Sequence, residues 1–147
     1  MNFIAVWGSS GAGKTTVALA LAAALARKKD VLVISTGNNA PALPVYLPKE
    51  IKLGTNQSLG SLLDVPGSIS EANLIDRIHQ HPQNSRLFFA GYVSGEWPGI
   101  SYNPISREAS KALLQVLNLT PLAYVIIDCD SNPAYDSLTL LALEHAK

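Results

Sequence analysis

The chain has 147 residues, about one domain's length, and a domain of that size can bury roughly 68–70% of the surface its unfolded chain exposes. Hydrophobic residues make up 48% and charged residues 15%, well under the typical charged share of about 25%, so much of the chain must be hidden, either in a parallel sheet covered by helices on both faces or beneath a large partner interface. A formal net charge of +0 excludes a global field that would draw the chain to nucleic acid or acidic lipid, and a single cysteine, Cys129, excludes an internal disulfide and fits a reducing compartment.

Met1-Asn2-Phe3 lacks a basic leader region and is not a signal peptide, and the apolar stretch Val17–Ala26 is too short to span a bilayer, so a cytoplasmic protein is expected. Phe3–Trp7 is an apolar run ended by glycine and reads as a buried strand. Gly8–Gly13 is a loop. Lys14–Lys29, rich in alanine and leucine and free of glycine and proline, predicts a helix. The one dense basic run, Arg27-Lys28-Lys29, falls where that helix should end, where cations complement its dipole. Val31–Ile34 is a second buried strand. Strand, loop, helix and strand in about thirty residues make a βαβ unit, which implies parallel strands.

Gly37–Pro48, with Pro41, Pro44 and Pro48, predicts an ordered loop. Ser58–Leu63 reads as a short helix, and Ser70 as the N-cap of another that runs to about Gln80. Leu87–Ala90 is a third strand. Gly91–Pro104, glycine-rich and aromatic, is a long loop of the kind that carries function. In it Trp97, with Tyr92 and Tyr102 nearby, reads either as an exposed partner-binding tip or as packing on the sheet edge. Ser106 caps a helix to Leu117, Tyr124–Asp128 is a fourth strand, and Asp136–Ala146 is a last helix. His79 and His81, near the expected end of the Ser70 helix, lack a third ligand and do not predict a metal site.

Gly8-Ser9-Ser10-Gly11-Ala12-Gly13-Lys14-Thr15 matches G-x-x-x-x-G-K-[ST] in the strand-to-helix context that this motif requires. Glycines let successive backbone N–H groups turn inward as a nest for phosphate oxygens, and the helix N-terminus adds a positive dipole end. Lys14 supplies a compact charge for the β- and γ-phosphates, the Thr15 hydroxyl is a natural magnesium ligand, and Thr16 is placed to touch the α-phosphate. Asp128, ending an apolar strand where ligands gather in an open α/β sheet, is the expected second magnesium holder, acting through water. The competing reading of Asp128 is a carboxylate that caps the Asp136 helix or its own loop. Asp130 is open between the same alternatives.

Phe3–Ala26, followed by Val31–Ile34 and by Tyr124–Asp128 with Asn132-Pro133 after it, resembles the MinD/ParA group of positioning and partition ATPases, whose relatives include CpaE/TadZ-type proteins of pilus assembly. The resemblance implies a three-layer, Rossmann-like P-loop NTPase fold: a mainly parallel sheet flanked by helices on both faces. It also implies ATP rather than another nucleotide, magnesium, a homodimer and a protein partner. Residues 1–147 are then expected to be one nucleotide-binding domain, the N-terminal part of a longer protein.

Two departures from the family stand out. Ser9 occupies the position where members carry a second lysine that reaches across the dimer to the partner's nucleotide, and a hydroxyl cannot supply that charge. Ser35-Thr36-Gly37-Asn38-Asn39 stands where members place aspartates that hold magnesium and prepare the attacking water. An amide such as Asn38 orients a water but cannot take its proton. The expected activity is therefore ATP hydrolysis that is slow or partner-stimulated, driving a switch in positioning, partition or pilus and secretion assembly. Two alternatives remain: a near-inactive nucleotide-binding scaffold, and a small-molecule kinase. The kinase lacks support from the scattered Arg27, Arg77, Arg86 and Arg107, which do not cluster as a lid would require.

Overall fold

Four parallel strands account for the apolar runs, and a fifth, short strand joins them at the sheet edge. The structure, a computed structural model, describes residues 1–37 and 40–146, apart from the side chains of residues 98, 99 and 135. In chain order the elements are β1 (Asn2–Val6), α1 (Lys14–Leu25), β2 (Val31–Ser35), α2 (Leu43–Tyr46), α3 (Leu59–Leu63), α4 (Glu71–Ile75), β3 (His79–His81), β4 (Asn84–Ala90), α5 (Pro98–Ser101), α6 (Arg107–Leu119), β5 (Tyr124–Asp128) and α7 (Ser137–His145), with single 3-10 turns between some of them. The sheet order is β1-β5-β2-β4-β3, and only the β3–β4 pair is antiparallel.

Alternate residues of the central strands feed two cores, as strand pleating requires. Leu32, Ile34, Val125 and Ile127 face one layer with α3, α4, α6 and α7, while Val31, Val33 and Ile126 face the other with α1 and α2. This is the expected three-layer arrangement. The predicted hydroxyl caps are present, Ser70 accepting from the Asn73 N–H and Ser106 from that of Ala109, and Ser58 adds a third by accepting from the Gly60 N–H.

Several elements differ from expectation. The helix begun at Ser70 stops at Ile75, and the next residues turn into β3, which pairs with β4 across the two-residue connection Pro82-Gln83. His79 and His81 therefore lie on an edge strand, not at a helix end. A His79 ring nitrogen hydrogen-bonds the Gln57 carbonyl, and His81 Nδ1 accepts from the Gln83 N–H. α1 ends at Leu25 rather than Lys29, and the N–H groups of Lys28 and Lys29 close the turn onto the Leu25 carbonyl. Within the stretch read as loop, Leu43–Tyr46 forms one helical turn.

The long loop after β4 is anchored by a buried carboxylate. Glu96 Oε2 accepts from Ser58 Oγ at 2.7 Å and from the Val93 N–H at 3.1 Å, and Oε1 accepts from the Tyr102 hydroxyl. Tyr92 packs inside, but Trp97 stays 61% exposed, so the packing alternative fails for its side chain. Among the described residues, no helix is long and apolar enough to cross a membrane.

Candidate functional site

The C-terminal ends of β1, β5 and β2 lie side by side, with Val6 and Ser35 both in register with Asp128. Parallel strands put all three ends at one edge, where chain reversals leave room for a ligand. From β1 the chain enters Gly8–Gly13, whose Gly11 and Gly13 adopt φ of 76° and 83°, a region costly for residues with a Cβ. The Ala12 N–H bonds the Ser9 carbonyl at 3.2 Å, which curls the loop back on itself. Gly13 sits at the N-cap of α1 and no side chain caps that helix. Its first-turn N–H groups, the exposed loop and the dipole end together offer donors of the kind that can receive an anion.

Lys14 spans the mouth of this loop. Its Nζ donates to the Ser9 carbonyl at 3.1 Å and to Ser131 Oγ at 2.7 Å, bridging the β1 and β5 loops. Thr15 Oγ1 donates to Asp128 Oδ2 at 2.6 Å. A cavity of about 140 Å³ is lined by Lys14, Thr15, Ser35, Asp128, Asp130 and Ser131, and a neighbouring one of about 200 Å³ shares Thr15, Ser35 and Asp128. Of the sequence-derived site residues, Lys14, Thr15 and Asp128 thus meet around one space. Ser9, Ser10 and Thr16 are exposed along the loop and helix start.

Asp128 does not cap the last helix. That role belongs to Asp136, whose Oδ1 accepts from the Leu138 N–H. Asp130 shapes its own loop, with Oδ1 accepting from the Asn132 N–H, while also lining the cavity.

Sequence reasoning missed Tyr46. Its hydroxyl donates to Asp128 Oδ2 at 2.8 Å, the oxygen already used by Thr15, and its ring stacks on Phe89 at 5.2 Å. Burial and then the Asp128 charge hold the phenol above its ordinary value of 10, so it stays a donor. Nothing in the spacing of residues 46 and 128 signals this contact.

A second network ties the loops together. The Asp130 N–H donates to Thr36 Oγ1 at 2.8 Å, Thr36 Oγ1 meets Thr139 Oγ1 at 2.7 Å, and Thr139 donates to the Asp136 carboxylate. The stretch after β2 is thereby fastened to the stretch after β5 and to α7. Asn38 and Asn39, in the stretch that stands where the family places aspartates, lie outside the described residues. Cys129, buried beside the cavity, has its thiol pushed up to about 12, mainly by burial, so it carries no thiolate nucleophile.

The donor set suits magnesium better than a softer ion. Among the described residues there is no group of three or more His, Cys, Asp or Glu side chains that could cage a metal. One hydroxyl and one carboxylate, 2.6 Å apart beside the start of α1, would suit an ion that takes few protein ligands and shares phosphate oxygens.

Comparison with known proteins agrees with this geometry. The profile of the CobQ/CobB/MinD/ParA nucleotide binding domain matches residues 3–139. Similar solved structures include a ParA family ATPase from Chlorobium tepidum TLS (18% identity over 99% of this chain and 56% of that one, TM-score 0.69). The cell division ATPase MinD of Pyrococcus furiosus aligns at 22% identity over 96% of this chain and 55% of its own, with a TM-score of 0.68. A putative plasmid partition protein from Borrelia burgdorferi B31, bound to AMPPNP, aligns at 24% identity over 99% and 59%, with a TM-score of 0.69. The chain thus spans little more than half the length of these structures. None of the curated proteins matches it.

Proposed function

The chain belongs to the CobQ/CobB/MinD/ParA nucleotide-binding domain family, and on that footing we propose that residues 1–147 act as one domain that binds ATP with magnesium through Gly8–Thr16 and hydrolyses it slowly as a switch. The observation that carries the reading is the convergence of Lys14, Thr15 and Asp128 on one cavity, with Thr15 Oγ1 and Asp128 Oδ2 2.6 Å apart. Backbone N–H groups of the loop and of the start of α1 would receive phosphate oxygens. Lys14 would exchange its bonds to the Ser9 carbonyl and Ser131 hydroxyl for the β- and γ-phosphates. Thr15 would bind magnesium directly and Asp128 through water. The ion supplies charge neutralisation on the phosphates, and the protein's part is to fix its position.

Slow turnover is inferred from the end of β2, not from the β5 side of the cavity, where Asp128 and Asp130 stand. Ser35, Thr36 and Gly37 bring hydroxyls and backbone, but no carboxylate, to the end of β2. A hydroxyl is a poor general base. The switch reading is supported by the two ties already described, from Tyr46 to Asp128 and from Thr36 through Thr139 to Asp136. They connect the cavity to the stretches after β2 and β5, so a ligand that competes for Asp128 has a mechanical route to both. The neutral Ser9 favours a second reading, a scaffold that binds nucleotide without turnover.

Single-turnover hydrolysis of γ-labelled ATP separates the two. Slow phosphate release that needs magnesium, stops with EDTA and is lost in Lys14→Ala is the expected result. Tight magnesium-dependent binding without any release would establish the scaffold, and absence of ATP binding would remove both readings.

A further inference from the structure

A cleft on the described surface lies away from the phosphate loop. It measures about 390 Å³, within the roughly 300–1,000 Å³ typical of ligand sites. Its floor is apolar: Leu43, Leu47 and Val93 are 2%, 7% and 2% exposed, and Leu53 is half-buried. Lys49 and Lys52 stand exposed on its rim. Among the described residues the only ion pair within 4 Å joins Arg107 and Glu144, so neither rim lysine is matched by a carboxylate. The walls are held in place beforehand. Pro44 and Pro48 fix backbone dihedrals on one side, and the Val93 N–H is bonded to the buried Glu96 on the other.

We propose that this groove binds a short segment of a partner protein that presents apolar side chains next to a carboxylate. The apolar floor accounts for the first requirement and the unmatched ammonium pair for the second, by charge complementarity that favours encounter and register. A small anion would leave much of the surface uncovered, because the lining carries Leu43, Leu47, Leu53, Val93 and Ile51, the last 37% exposed.

The groove shares an element with the phosphate site. α2 places Leu43 in the floor and sends Tyr46 to Asp128, 2.8 Å away. Resting on the nucleotide reading above, peptide and nucleotide affinities should therefore be linked, and linkage is reciprocal.

The test is a heteronuclear NMR titration of the isotope-labelled chain, without nucleotide, using acetyl-Asp-Leu-Leu-Glu-Leu-amide, its lysine-substituted counterpart acetyl-Lys-Leu-Leu-Lys-Leu-amide, and octanoate. The expected result is saturable shifts at the amides of Leu43, Leu47, Leu53 and Val93 with the acidic peptide, at a Kd under about 1 mM. The basic peptide should bind at least ~5-fold more weakly, and Lys49→Glu with Lys52→Glu should weaken the acidic peptide by a similar ~5-fold, as two exposed charge pairs allow. Both lysines are exposed, so the doubly substituted chain keeps its fold, which its own spectrum verifies. Equal binding of both peptides, tighter binding of octanoate, shifts at these amides caused by raising protein concentration alone, or shifts elsewhere would each overturn the proposal. Repeating the titration with ATP and magnesium should change the peptide Kd at least ~3-fold. An unchanged Kd with ATP visibly bound would overturn the linkage alone, and failure of ATP to bind would count against the nucleotide reading, not against the groove.

Discussion

The Tyr46 phenol donates to Asp128 Oδ2 at 2.8 Å, the same oxygen that Thr15 engages at 2.6 Å. Two hydroxyls from separate helices thus fix one carboxylate at the end of β5. Tyr46→Phe keeps the ring on Phe89 and removes one bond to a charged acceptor. Such bonds contribute about 1.5–3 kcal/mol, so the variant should be destabilised by about 2 kcal/mol. Urea unfolding reads this as a lower midpoint at constant m. An unchanged midpoint would show that the phenol does not hold Asp128.

Asp136 gives the fold a pH dependence. Burial raises its carboxyl above the ordinary 3.8, against bonds from Thr139, Thr36 and two backbone N–H groups that lower it. A raised acid binds its proton more tightly in the folded chain, so its contribution is fully present below about 3.8 and is lost as pH climbs through the folded pKa. Asp136→Asn still offers an N-cap oxygen but does not titrate. Urea midpoints from pH 4 to pH 7 should show wild type losing stability relative to Asp136→Asn as pH rises. A constant difference would contradict the assignment.

Gly60 marks where α3 meets two aromatic rings. A Cβ there would lie 2.5 Å from the Tyr102 ring and 2.6 Å from that of Tyr92, itself 2% exposed. Gly60→Ala should therefore cost about 1–3 kcal/mol, as overpacking does, although alanine is the better helix former. Thermal unfolding decides it. A variant as stable as wild type would mean the rings move aside freely.

The parallel core was legible because strands buried on both faces are written as unbroken apolar runs: Tyr124-Val125-Ile126-Ile127-Asp128 begins and ends where the sequence places it. Ser70 and Ser106 were legible as caps because their hydroxyls act within three residues. β3 was not. His-Gln-His has no apolar alternation, and what makes it a strand is pairing with Phe88 and Phe89, not local preference. α2 was hidden for a similar reason, since one turn containing Pro44 carries no periodicity to detect. At the site, Lys14, Thr15 and Asp128 follow from spacing and strand ends. Tyr46 is joined to Asp128 across 82 residues by folding alone.

The central claim is that the curled backbone between β1 and α1 encloses phosphate, with Lys14 sharing its charge. Titration calorimetry of ATP with magnesium into wild type and Lys14→Ala tests it most directly, with circular dichroism to show that both are folded. The account predicts at least tenfold weaker binding in the variant, a loss of about 1.4 kcal/mol or more, with the fold intact. Equal ATP affinity in the two folded proteins would contradict it.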